Sequence, residues 1–158
     1  MPSVNPIPKG YTTVTPSLVF KDGSKAIDYY KKAFGATERS RALGPDGKIM
    51  HAEIQIGSSI VMLSDELMGQ RSPESIGGSP VSFYLYFDDA DAAYKKAIAA
   101  GGAKEIMPVS EMFWGDRMGA LKDPFGYTWN VASHVKDVTP EEMKKGQEEF
   151  MKQMAGAR

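Results

Sequence analysis

No cysteine occurs anywhere in the 158 residues, which excludes disulfides, thiolate nucleophiles and cysteine-ligated metal. Net charge is nearly absent as well: 19 Lys and Arg stand against 20 Asp and Glu, for a total of -1. The two signs are interspersed and form no basic stripe, so nucleic acid is not an expected partner. No apolar run approaches the roughly 20 residues of a membrane-spanning helix, and the opening segment MPSVNPIPKG lacks the apolar stretch of a signal peptide. The expectation is a cytoplasmic protein without a membrane partner. There is also no Gly-x-Ser-x-Gly, no Walker loop and no His-Glu-x-x-His, which removes the serine hydrolase, nucleotide hydrolase and zinc protease classes.

What is present is one segment written twice. Leu18 to Glu38 and Leu85 to Glu105 align without a gap at an offset of 67 residues, matching at Phe20/Phe87, Asp22/Asp89, Ala26/Ala93, Gly35/Gly102 and Ala36/Ala103. Each copy reads as a strand end, an Asp able to cap a helix, a helix with one apolar face, and a Gly-Ala stop. A duplicated unit in so short a chain implies two similar modules packed as one domain, with a site in the cleft between them. The expected strands run over 11–20, 37–43, 48–56 and 60–64 in the first module and over 81–87, 105–111, 117–122 and 127–134 in the second. Helices are expected over 25–34 and 90–100, and a charged C-terminal helix opens at Thr139-Pro140-Glu141-Glu142. The fold class is therefore α+β, two βαβββ modules (about 11–65 and 81–135) joined by a Ser/Gly/Pro-rich linker over 66–80, within a single domain over 1–158. In the strand over 48–56, alternation sets Met50, Ala52, Ile54 and Ile56 against His51, Glu53 and Gln55.

Paired βαβββ modules, the strand-Asp-helix-Gly-Ala pattern and the Asp123-Pro124-Phe125-Gly126-Tyr127 turn resemble the vicinal-oxygen-chelate superfamily, which includes glyoxalase I, bleomycin-resistance proteins and extradiol dioxygenases. Within it, YTTVTPSLVFKD, GKIMHAEIQIG, FWGDRMGALKDPFGYTWNVASHV and TPEEM are similar to the PhnB-like branch. That branch is also labelled demethylubiquinone methyltransferase-like, but the chain has no Gly-rich strand-to-helix loop to hold a nucleoside cofactor. The resemblance implies strands curled into half-barrels that enclose a shared cavity, and a homodimer. It also implies metal-ligand positions at Thr15, Met62, Ser82 and Asn130. A hydroxyl pair, a thioether and an amide lack the charge or imidazole basicity that a divalent ion needs, so no metal and no cofactor is expected.

His51 and Glu53 share one face of a strand and form the strongest local signal. They read as an acid–base or ligand-binding pair, and equally as a hydrogen-bonded polar patch; a relocated metal site would need His134 or Asp116 beside them. Trp114, Asp116 and Arg117 read as a pocket wall in which the indole stacks and the guanidinium holds an anion, or as a turn in which Asp116 and Arg117 pair. Tyr84 and Tyr86 follow Ser82 on one strand face and line the second half of the cavity, or pack in the core. Ser64-Asp65-Glu66 reads as a cap ahead of a substrate contact. Two functions follow: metal-independent binding of a small molecule in the cavity, or a lyase- or isomerase-type enzyme on a small oxygenated metabolite that uses His51 and Glu53.

Overall fold

The computed structural model describes residues 4–157. The first module runs β1 (Ser17–Phe20), α1 (Gly23–Phe34), β2 (Thr37–Leu43), β3 (Ile49–Ile56) and β4 (Ser59–Asp65). A four-residue helix, α2 (Pro73–Ile76), interrupts the linker. The second module repeats the order with β5 (Ser82–Tyr86), α3 (Ala90–Ala99), β6 (Lys104–Glu111), β7 (Asp116–Lys122) and β8 (Thr128–His134), and α4 (Pro140–Gly156) closes the chain. The sheets have equivalent orders, β1-β4-β3-β2 and β5-β8-β7-β6, each with one parallel pair and two antiparallel pairs. This is the α+β, twice-βαβββ architecture that the repeat implies.

The repeated Asp does the same work in both copies. Asp22 accepts the amide of Lys25 at 3.0 Å and Asp89 that of Ala92 at 2.9 Å, satisfying donors that the first helical turn leaves free. Gly35 then ends α1 in the left-handed conformation, at φ 67°. One apolar core runs along the helical side of both sheets. Ile27, Tyr30 and Phe34 of α1 pack with Phe20, Ile54 and Leu63 of the first sheet and with Leu121, Trp129 and Val131 of the second. The helices touch, and the Tyr29 hydroxyl donates to the Ala97 carbonyl across their contact at 3.3 Å.

Two expectations about strands need correction. The chain over 11–16 is not strand: Thr12 donates to the Val14 carbonyl and Thr15 to the Thr12 carbonyl, at 2.7 and 3.0 Å, so the threonines bond locally instead of joining a ladder. Met50 does not sit on the apolar face of β3. A register shift between Ala42 and Leu43 leaves it unpaired and exposed, and Ile49 takes the core position. The linker glutamate is occupied as well, since Glu66 accepts from both the amide and the hydroxyl of Ser72, at 2.9 and 2.6 Å.

Candidate functional site

The sides of the two sheets away from α1 and α3 differ in chemistry. On the first sheet, His51 Nε2 lies 3.3 Å from Glu53 Oε1, and Arg39 Nε lies 3.7 Å from Glu53 Oε2. The nearby Tyr11 hydroxyl, with His51 and Arg39, holds the Glu53 carboxyl below its ordinary range. The leader crosses this face, because a Cβ placed on Gly10 would lie 3.4 Å from Ile60 and 3.7 Å from Arg39. Met62 is the register partner of Glu53 here.

The second sheet gathers its polar groups around one carboxylate. Antiparallel pairing sets Asp116 at the start of β7 opposite His134 at the end of β8, and Met118 opposite Ala132. Asp116 is only 3% exposed. Its Oδ2 accepts from the hydroxyls of Tyr84 and Tyr86 at 3.0 and 2.9 Å and from the indole N–H of Trp114 at 3.2 Å; its Oδ1 meets His134 Nδ1 at 2.9 Å. Burial works against this charge, yet the bonds from His134, Tyr86, Tyr84 and Trp114 outweigh it and keep the carboxyl below the ordinary value. The same contacts act on the partners. Burial and the Asp116 bond push Tyr84 up to about 12, and the Asp116 bond raises Tyr86. His134 Nε2 meets Asp137 at 3.0 Å, so the ring is gripped by two carboxylates and its basicity rises.

Small side chains make room for this arrangement. Ala132, fully buried beneath the tyrosines, lets them reach across β8 from β5 to β7. With Met118 and Ala120 it forms an apolar floor against which Met107, Met112 and Trp114 pack. Gly115 lets the chain turn into β7 at φ 96°, where a Cβ would collide with the Lys136 carbonyl oxygen. Its own carbonyl accepts the amides of Val135 and Lys136 at 2.9 and 3.0 Å, which ties down the strap carrying Asp137. Two grooves adjoin the face. One, of about 240 Å³, lies between the modules, where Tyr84 and Tyr86 meet the Gly57–Ser59 turn; the other, of about 330 Å³, lies between Met107, Met112 and Phe150 of α4.

Of the residues singled out in the sequence, Tyr84, Tyr86, Trp114 and Asp116 converge, and Ser82 and Asn130 share their side of the sheet. Arg117 points to the opposite side, where it grips Asp91 of α3 at 2.5 and 2.8 Å. His51, Glu53 and Met62 belong to the first sheet, and no hydrogen bond or ion pair among the described residues joins them to Asp116. His134, considered in the sequence only as a metal ligand, is the missed member of the cluster, together with Asp137 and Met118.

The four metal-ligand positions do not suit a metal ion. The Thr15 hydroxyl is spent on the Thr12 carbonyl, and the Met62 thioether, the Ser82 hydroxyl and the Asn130 amide are neutral groups without imidazole basicity. Among the described residues, no group of three or more His, Cys, Asp or Glu is placed to hold a metal.

A duplicated βαβββ fold with an aromatic, carboxylate-centred open face defines the class of protein. The chain belongs to the glyoxalase/bleomycin resistance protein/dioxygenase superfamily, whose family model matches residues 12–131. It is 40% identical over 136 residues to the uncharacterized protein Rv0887c of Mycobacterium tuberculosis, covering 83% of this chain and 79% of that one. The crystal structure of protein PA1353 from Pseudomonas aeruginosa superposes with a TM-score of 0.65 at 26% identity, over 79% of this chain and 99% of the other. A Bacillus cereus structure described as a putative 3-demethylubiquinone-9 3-methyltransferase, PhnB protein, shares the fold with a TM-score of 0.60 at 16% identity, over 77% and 99%. No helix among the described residues is long and apolar enough to cross a membrane.

Proposed function

We propose that this protein is a PhnB-like, cytoplasmic member of the superfamily that binds a small molecule without a metal, on the open face of the second sheet and in the adjoining groove between the modules. The Asp116 cluster carries this reading. A buried carboxylate holds two tyrosines and a tryptophan in fixed positions over an apolar floor, and ligand pockets combine apolar walls with a few preset polar groups in this way. The working assembly is a homodimer, because Leu43 and Met50 of the first module and Phe150, Met151 and Met154 of α4 are exposed in one copy.

A second reading rests on the 3.3 Å contact between His51 and Glu53, an imidazole–carboxylate pair able to relay protons in an enzyme of lyase or isomerase type. One experiment separates the two. Protein stripped with chelator is screened against a small-molecule library by thermal shift, and hits are titrated on Trp114→Ala, His51→Asn and Glu53→Gln. Metal-free binding predicts that Trp114→Ala weakens the hits by about 1–3 kcal/mol while the other two leave them unchanged. Loss of binding or turnover in His51→Asn and Glu53→Gln with Trp114→Ala neutral supports the enzyme instead.

A further inference from the structure

Counting protons around Asp116 decides what kind of ligand the face accepts. A phenol has one hydrogen: Tyr86 directs its own to Asp116 Oδ2 at 2.9 Å, and Tyr84 shares its own between Asp116 Oδ2 and Met118 Sδ, each at 3.0 Å. The indole N–H of Trp114 points to the same oxygen. His134 has no proton to offer either, since Nδ1 faces Asp116 and Nε2 faces Asp137. The Asn130 amide nitrogen gives one of its two hydrogens to the Phe83 carbonyl at 3.3 Å and keeps the other. What remains toward solvent is the lone pairs of two exposed phenol oxygens, with only neutral donors beside them, the second Asn130 N–H and the Ser82 hydroxyl.

We infer that the open face of the second sheet selects ligands that bring their own hydrogen-bond donors, a primary ammonium or comparable N–H group carried on an aromatic or apolar body. Charge agrees with the proton count, because two carboxylates, Asp116 and Asp137, flank the single imidazole between them. The exposed rings favour a cation as well: Tyr84 is 41% and Tyr86 63% exposed, with centroids 5.2 Å apart. Lys122 is the competing cation on this side of β7, and it sits six residues from Asp116, about 20 Å along the strand. An anionic ligand would face the Asp116 and Asp137 carboxylates and find only neutral donors, the Asn130 amide and the Ser82 hydroxyl.

The inference rests on the proposed binding site, and its failure is distinguishable from that of the site itself. Benzylammonium and benzoate are titrated into protein carrying carbon-13 at the methionine methyls, with the Met118 resonance as reporter. Benzylammonium is expected to shift Met118 saturably and at least several-fold more tightly than benzoate. Tyr86→Phe, which keeps the ring and removes the acceptor, is expected to weaken benzylammonium about tenfold, as is Tyr84→Phe should the first variant be poorly folded. Benzoate binding at Met118 as tightly as benzylammonium overturns the donor selectivity and leaves the site standing. Unchanged benzylammonium affinity in Tyr86→Phe also overturns it. If neither probe moves Met118, the inference and the site fall together.

Discussion

Asp116 gathers more hydrogen bonds than any other side chain on the open face, and its replacement is correspondingly informative. Asp116→Asn removes the charge and sets an amide against donors, so it is expected to cost about 1–3 kcal/mol in denaturant unfolding. It should also return the His134 titration toward the ordinary histidine value, read by NMR with His51→Asn to assign the second imidazole. The raised His134 value fixes a sign. Its stabilisation is complete below the unfolded value of about 6.5 and is lost as pH rises through the higher folded value, so unfolding free energy falls across that window. A flat profile there, unchanged in His134→Asn, contradicts the two-carboxylate grip. Tyr84, Tyr86 and Trp114 were legible in the sequence because strand alternation and the aromatic cluster name them. The role of His134 was hidden in register: equal steps outward from the Phe125 turn pair Lys122 with Thr128 and Asp116 with His134, but sequence alone does not say that β7 and β8 hold that count without a bulge.

Individual elements were written locally wherever caps and turns decide them. Both Asp caps, the Gly35 stop and the Thr139 capping box of α4 are short-range devices, and the residues that perform them are those the sequence marks. The Met50 bulge and the broken first strand were not legible, because alternation shows which residues share a face but not where a ladder slips. Glycines divide by the same logic. Gly115→Ala is expected to lose well over 1 kcal/mol and loosen the 135–138 strap, since backbone strain and a collision with Lys136 add. Gly47→Ala, at φ 76° with nothing nearby, suffers strain alone and should lose less; equal melting temperatures for the pair would refute this. The fourth helix buries none of its residues and touches the domain through Gly146 and Phe150 against Phe113. Ending the chain before Thr139 is therefore expected to cost no more than about 1–2 kcal/mol, measured by denaturant unfolding.

At the scale of the whole molecule, Asp123 ties the modules together. It accepts from Tyr30 of α1 at 2.6 Å, from the Trp129 indole at 2.8 Å, and from the amides of Phe125 and Tyr127 at 2.9 Å each. Burial pushes its carboxyl upward against the pull of those four donors. Asp123→Ala would orphan all four in the core, so a loss of about 3 kcal/mol or more is expected, with both modules melting together. The sequence marks Asp123 only as a turn residue, because a bond spanning 93 positions to Tyr30 is a product of packing. Repeat and resemblance made the paired-module fold readable, whereas the contrast between the two open faces emerges only once both sheets are assembled.

That contrast carries the functional account, and the methionines report on it directly. Met62 marks the first face; Met107, Met112 and Met118 mark the second; Met143, Met151 and Met154 mark α4. The measurement is a carbon-13 methyl spectrum of chelator-treated protein with each hit of the small-molecule screen. The account predicts shifts at Met118 and Met112, with Met62 unmoved and no change on adding zinc or manganese. Shifts centred on Met62, or binding that appears only with metal, would contradict it.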